Sequence, residues 1–242
     1  MRLSRSPEIP RYAHECVDAF LDGRLRLIQS RDGYRFSIDA VFLSTFVSVR
    51  PGDRVVDLGT GCGVIPLILL LEKPIDWVVG VEIQAELASQ AARNVLLNRL
   101  SSRMKVIRGD IRHPPLAEAC ADVVICNPPY RQHRSGRINP DPRRAIARHE
   151  ILASINDILL AAQRLLRKKG RFAFVYPSTR LAEVFGRLKR FDLEPKRLQI
   201  SYPDLESGAK LALIEAVLGA RPGLDILPPL LGQGDFSISN PP

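Results

Sequence analysis

Four short apolar runs constrain this chain more than any other feature. "RVVDLG", "WVVGVEI", "MKVIRGD" and "ADVVICN" are rich in β-branched residues, and their polar members near the end are Asp57, Glu82, Asp110 and Asn127. Between them lie helix-like stretches. Residues 63–73 carry Pro66 near the start, where a helix tolerates it. Over 84–100 the 3.6-residue spacing predicts a face of Leu87, Ala91, Val95 and Leu96. Repeated strand–helix units predict a parallel, doubly wound sheet with right-handed crossovers. Further on, 151–170 reads as one helix whose basic last turn, within "RKKGR", complements its dipole before the Gly170 stop. A fifth strand follows over 171–177, then a helix capped by Ser178. The runs 194–203 and 210–220 have no helix between them and are predicted to pair antiparallel.

The expected architecture is therefore α/β and Rossmann-like. It is a seven-stranded, mostly parallel sheet with an antiparallel edge hairpin and helices on both faces. Upstream, 24–36 is predicted to be a hairpin on the Asp32-Gly33 turn, and 37–49 a helix. The Pro- and Gly-rich tail is expected to be extended. Three segments result: an N-terminal extension over 1–50, a main domain over 51–220 and a tail over 221–242.

Composition removes several function classes. The longest apolar run, 64–71, contains a proline and is far too short for a membrane span. The first residues lack the apolar segment of a signal peptide, so a cytoplasmic protein is expected. Cys16, Cys62, Cys120 and Cys126 form no CxxC pair and are expected to be reduced. The four histidines show no ligand spacing, so no metal is expected. A net charge of +9 and a pI near 9.8 point to a polyanionic partner.

The chemistry sits at the strand ends. "DLGTGCG" places Gly59, Gly61 and Gly63 between a strand and a helix, as a nucleotide-binding turn requires. The glycines let the backbone approach a ligand, and the helix N-terminus is expected to offer free N–H groups to an anion. Ligands of open α/β sheets lie outside the carboxyl ends of the strands. Glu82 is placed there to accept from ribose hydroxyls, and Asp110, on the next strand, suits an adenine amino group. In "NPPY", Pro128 and Pro129 stiffen the backbone and remove two N–H groups. The Asn127 side-chain oxygen and the Pro128 carbonyl remain as a rigid acceptor pair for a donor –NH2 group, and Tyr130 adds an aromatic face for a planar substrate.

These stretches together resemble the class I S-adenosyl-L-methionine-dependent methyltransferases that act on exocyclic or amide nitrogen. The segment "IQSRDGYRFSIDAVFLSTFV" is similar to the start of the bacterial tRNA(Val) (adenine-37-N6) methyltransferase family, and the resemblance covers roughly residues 20 to 230. It implies S-adenosyl-L-methionine as cofactor. It places Asp57, Gly59, Thr60 and Gly61 under the methionine part and Glu82 at the ribose. Asp110 falls at the adenine, flanked by Ile83 and Ile111. Phe36 and Asp39 match the segment that closes over the cofactor, and Asn127 to Tyr130 the catalytic motif.

After that motif, residues 131–149 hold Arg131, Arg134, Arg137, Arg143, Arg144 and Arg148 against one acid, Asp141. Such a run beside an active site suits RNA phosphates, with Pro129 and Tyr130 completing the substrate side. The expected activity is N-methylation of an exocyclic amino group, adenine N6 in tRNA. Methylation of a protein glutamine amide, or of an amino group in rRNA or DNA, remains the alternative. Only about 50 residues precede Asp53, too few for the helical domain that protein-directed relatives carry.

Overall fold

The structure, a computed structural model, describes residues 9–31, 35–128, 153–204 and 206–232. Its first elements are strands β1 (Glu15–Phe20) and β2 (Leu25–Ser30), paired antiparallel from Glu15↔Ser30 to Phe20↔Leu25. The turn between them uses Asp22-Gly23 and not the Asp32-Gly33 expected from sequence. Leu21, Asp22 and Gly23 take φ of 52°, 54° and 80°, and the Arg24 N–H donates to the Leu21 carbonyl at 3.1 Å. The reason is space downstream. By sequence only four residues, 34–37, separate Gly33 from helix α1 (Ile38–Phe46), too few for a six-residue partner strand. Residues 32–34 themselves lie outside the described residues.

The main sheet follows in chain order. It comprises β3 (Arg54–Leu58), α2 (Val64–Glu72), β4 (Trp77–Glu82), α3 (Ala85–Leu97), β5 (Met104–Arg108) and β6 (Ala121–Cys126). Then come α4 (Ile155–Leu165), β7 (Leu166–Pro177), a 3-10 turn (Ser178–Arg180), α5 (Leu181–Arg190), β8 (Leu193–Tyr202) and β9 (Leu211–Leu218). Two-residue strands β10 (Asp225–Ile226) and β11 (Leu230–Leu231) end the described chain. The spatial order is β10-β8-β9-β7-β6-β3-β4-β5, with β11 also against β8. Strands β7, β6, β3, β4 and β5 are mutually parallel, and β9 runs antiparallel to both β7 and β8. The seven longer strands are those expected, and the tail adds β10 and β11 along β8.

Side chains alternate across the sheet, as the two-residue strand period requires. Val55, Val78, Val123, Ile125 and Val175 face one layer, which holds α1, α2, the hairpin leucines Leu25 and Leu27, and Val95 of α3. Val56, Val79, Val124, Phe172 and Phe174 face the other, built on Ile158 and Leu159 of α4 and Val184 and Leu188 of α5. Each such fully buried side chain stabilises the fold by about 1.5–3 kcal/mol.

Three helix readings need correction. Ser178 caps no helix: it lies in the 3-10 turn, its hydroxyl donates to the Ala209 carbonyl at 2.6 Å, and Arg180 precedes α5. In α3 the buried side chains are Ala88, Gln90, Ala91, Arg93, Asn94 and Val95, and Leu96 is half exposed. The predicted helix over 151–170 ends at Leu165 instead. It opens on a capping box between Ser154 and Asp157, and Leu166 turns to ψ 134°. The basic run thus lies in β7 and complements no helix dipole. Ala121 pairs with Leu166 but Val123 with Arg171, so β7 carries three extra residues there as a bulge. Arg167 pairs with the buried Asp122 carboxylate, and Lys169, at φ 64°, donates to the Gly219 carbonyl. These distant partners outweigh helical continuation.

Candidate functional site

The parallel strands β6, β3 and β4 bring Asn127, the glycine turn and Glu82 to one edge of the sheet. The register Leu58↔Cys126 and Leu58↔Val81 puts the three strand ends side by side. Next to them, the end of β5 carries Gly109 and Asp110, with Gly109 N–H donating to the Glu82 carbonyl at 3.0 Å.

The turn is held by its own amides. Gly59 and Thr60 N–H groups both donate to the Val81 carbonyl, at 2.8 and 3.0 Å, and Gly63 N–H donates to Thr60. Gly61 N–H donates to Glu82 Oε2 at 2.9 Å. The Gly59, Thr60, Gly61 and Gly63 amides are therefore engaged within the chain. The glycines are still needed. Gly59, Gly61 and Gly63 take φ of 74°, 58° and 85°. A Cβ on Gly59 would meet nothing within 4 Å, so the turn opens onto free space. Gly80, in the middle of β4, was missed: a Cβ there would come within 2.7 Å of the Thr60 side chain. A glycine inside a strand was the available signal.

Under this turn lies Asp57, 1% exposed. Among the described residues neither of its carboxylate oxygens has a hydrogen-bond partner, nor does the Thr60 hydroxyl. Burial pushes the Asp57 carboxyl up to about 7. Thr60 stands near enough to pull the other way without forming a sound bond, and the Glu82 charge adds to the rise. An unsatisfied buried acceptor costs about 1–3 kcal/mol, and one that persists at a strand end calls for a donor beyond the described residues. Glu82, also buried, accepts from Gly61 N–H and from Gln84 N–H, both at 2.9 Å. A carboxylate has about four acceptor positions, so two remain for hydroxyl groups.

Asp110 is more open, and Arg112 grips it. The guanidinium reaches both oxygens, at 2.8 Å and 3.0 Å from Nε, and the Arg112 N–H adds a bond of 2.9 Å. Arg112 holds the carboxyl below the usual carboxylate range. Sequence reasoning missed Arg112, although an acid two residues before an arginine was visible. Half-buried Ile83 and Ile111 follow the two strand-end acids. The thiols of Cys62 and Cys126 are pushed up by burial, Cys62 to about 12, so neither is a thiolate nucleophile.

Asn127 is half buried directly after β6, and Pro128 is buried. Pro129, Tyr130, Arg131, Arg134, Arg137, Arg143, Arg144 and Arg148 lie outside the described residues. Phe36 packs edge-on against Phe20 at 5.0 Å, and Asp39, in the first turn of α1, accepts from the Ser37 hydroxyl at 2.9 Å. These contacts join Phe36 and Asp39 to the N-terminal elements; the direct bonds of the site link Gly61 with Glu82. Among the described residues no cluster of three or more His, Cys, Asp or Glu is placed to hold a metal. No described helix is long and apolar enough to cross a membrane.

Buried acceptors under an open glycine turn fit a ligand that brings donors and positive charge, and a nucleoside with a sulfonium and an ammonium group is one. Comparison with known proteins points the same way. The family model described as methyltransferase small domain matches residues 37–191. A Pedobacter heparinus protein named tRNA1(Val) (adenine(37)-N6)-methyltransferase is 30% identical over 176 residues, 73% of this chain and 74% of its own. An Aeromonas salmonicida protein of the same name is 30% identical over 164 residues, 67% of this chain and 68% of its own. Among solved structures, an Agrobacterium tumefaciens protein described as a predicted O-methyltransferase superposes with a TM-score of 0.65 at 21% identity, covering 80% of this chain and 86% of that one. TYW2 of P. horikoshii, solved with MeSAdo, gives 0.62 at 16%, covering 86% and 73%. At these identities the structures support the fold alone.

Proposed function

The chain belongs to the methyltransferase small domain family, and from that premise we propose that it methylates N6 of an adenine in tRNA. It is an S-adenosyl-L-methionine-dependent methyltransferase of Rossmann-like fold. The observation that carries the proposal is the unpartnered Asp57 carboxylate beside Glu82, one strand away from Asn127. The names of the relatives supply the nucleotide and the RNA class.

In this reading Asp57 and Thr60 take the donors of the methionine part at the glycine turn, and Gly59 leaves room for it. Glu82 uses its two remaining acceptor positions for ribose hydroxyls, and Asp110 accepts from the adenine amino group between Ile83 and Ile111. The N-terminal extension serves to close over this side through Phe36 and Asp39, and the main domain carries the site. When bound, the cofactor supplies an electrophilic methyl group on a cationic sulfur.

The protein's own residues prepare the acceptor. An adenine amino nitrogen is a poor nucleophile because its lone pair is delocalised into the ring. Asn127 Oδ1 and the Pro128 carbonyl accept its two N–H groups and draw the nitrogen towards tetrahedral geometry. The lone pair is thereby localised and aimed. As positive charge develops on that nitrogen, the same two oxygens stabilise it, and one such aimed group is worth about 10²–10³ in rate. Fixing both reactants in one orientation contributes further. Tyr130 stacks on the base, and Arg131, Arg143, Arg144 and Arg148 contact phosphates of a cytoplasmic RNA.

The test is methyl transfer from S-adenosyl-L-methionine to unmodified tRNA transcripts, followed by mapping of the modified nucleotide. N6-methyladenosine at one position, lost with Asn127→Ala while cofactor affinity persists, supports the reading. Transfer only to a protein glutamine would overturn it.

A further inference from the structure

Helix α3 carries a row of buried polar side chains on the face turned to the N-terminal hairpin. Glu15 of β1 forms a two-pronged pair with Arg93, at 2.6 and 2.7 Å. Asn94 and Asn98 treat β2 as a neighbouring strand would. The Ile28 N–H donates to Asn94 Oδ1 at 2.6 Å, and Asn94 Nδ2 donates back to the Ile28 carbonyl at 3.1 Å. The Arg26 N–H donates to Asn98 Oδ1 at 2.9 Å, and Asn98 Nδ2 returns to the Arg26 carbonyl at 2.7 Å. The match is geometric. Four residues of helix rise about 6.0 Å. Two residues of strand span about 6.6–6.8 Å. The two amides thus close the edge of β2 that β1 leaves open.

Asn94 differs from Asn98 in one contact. Its Nδ2 also donates to the Cys62 carbonyl at 2.9 Å, inside the glycine turn. Asn98 instead donates to the Asn94 carbonyl at 2.8 Å, within its own helix. Asn94 is fully buried, so its amide is closed off from bulk solvent with these partners. One side chain therefore fixes both the hairpin edge and the peptide between Gly61 and Gly63. Gly61 N–H is in turn the donor to Glu82.

We propose that Asn94 is a positioning residue for the glycine turn, and that it couples hairpin β1–β2 to the affinity of the cofactor site. This rests on the reading of that turn as the cofactor site. Coupling of this kind is reciprocal: if an ordered hairpin favours the cofactor, the cofactor must favour an ordered hairpin. The Arg26 and Ile28 amides report the hairpin, because both are bonded to α3.

The experiment compares Asn94→Ala with Asn98→Ala on the full chain. Each removes two bonds to β2, so both lower the melting temperature, but only the first frees the Cys62 carbonyl. Titration with S-adenosylhomocysteine should show about a tenfold weaker Kd for Asn94→Ala, as one buried hydrogen bond implies, and a change under about twofold for Asn98→Ala. The KM for S-adenosyl-L-methionine should rise in parallel with little change in kcat. In the unaltered protein, saturating S-adenosylhomocysteine should slow hydrogen exchange at Ile28 and Arg26. Equal affinities for the two variants would overturn the inference. So would exchange at Ile28 that ignores the ligand, a measurement that stands even if Asn94→Ala fails to fold. Failure of the unaltered protein to bind S-adenosylhomocysteine would instead sink the cofactor-site reading itself.

Discussion

Asp57→Asn separates the charge of the buried carboxyl from its shape. The folded protein holds this group at about 7 against an ordinary value of 3.8, a difference of about 3 units. One unit corresponds to 1.36 kcal/mol, so ionising Asp57 in the ligand-free fold costs at most about 4 kcal/mol. The sign follows from proton counting. Between pH 4 and 7 the folded state holds a proton on Asp57 that the unfolded state has released, so stability falls as pH rises and levels off above about 7. The amide cannot ionise. The two proteins should be similarly stable near pH 4.5, and the variant the more stable near pH 8.5. Cofactor affinity should move oppositely. The ionised carboxyl is the form that favours a cationic ligand, so wild-type affinity should climb up to about pH 7 while the variant stays weak and flat. The assay is denaturant unfolding of ligand-free protein at half-unit steps from pH 4.5 to 8.5, with calorimetric titration alongside. Other titrating groups cancel in the difference between the two curves. Parallel curves would show that Asp57 does not ionise in this range and would refute the reasoning.

Asp110→Ala should weaken cofactor binding by about 1–3 kcal/mol with little change in melting temperature; Arg112→Ala, which leaves the acceptor, should weaken it less, and titration of both tests the adenine assignment. Glu15→Ala strands buried Arg93 and should cost about 3–5 kcal/mol of stability by denaturant unfolding, an unchanged midpoint being the contrary result. The Glu15 carboxyl is lowered to about 2, chiefly by Arg93, so the stability it contributes should be present above pH 4.5 and lost as pH falls towards 2. Arg143→Ala with Arg144→Ala should flatten the slope of log RNA affinity against log salt by roughly 1–1.5, and an identical slope in filter binding would return that segment to a solvated role.

The sheet was legible because its signals are local. A run such as "VVICN" states both the strand and its polar end, and the absence of a helix between 203 and 210 states the antiparallel pairing of β8 with β9. Local chemistry failed where two candidates were equal or a distant partner decided. The dipeptides Asp22-Gly23 and Asp32-Gly33 offer the same turn, and only the early start of α1 chooses between them. The run after Leu165 reads as the basic last turn of a helix, and Asp122 with the Gly219 carbonyl draws it into β7 instead. In the site, the identities of Asp57, Glu82, Asp110 and Asn127 were readable, but the internal engagement of the Gly59, Thr60 and Gly61 amides was not. Those bonds run to Val81 and Glu82 on another strand. Asn94 was hidden for the same reason, since a polar residue on a helix face normally signals solvent, and here it meets two backbone segments far away in sequence.

The engaged amides change what the turn is for. With the Gly59, Thr60, Gly61 and Gly63 N–H groups already bonded, the turn lends little positive potential to the crevice, and the acidic groups at its floor are Asp57 and Glu82, both buried. The crevice is therefore negative within a chain of net charge +9. Those two signs suit two different ligands. In the proposed reading, a cationic cofactor is drawn to buried carboxylates, whose interactions salt screens weakly, and a polyanionic RNA to the arginines of 131–148, through phosphate contacts that depend strongly on salt. Arg112 marks the edge of this acidic group: its guanidinium is neutralised on Asp110. An unpaired arginine at that position would repel the cofactor, whereas a paired one leaves Asp110 ionised and oriented. The Arg112–Asp110 pairing thus keeps one neighbouring cation from cancelling the acidic crevice.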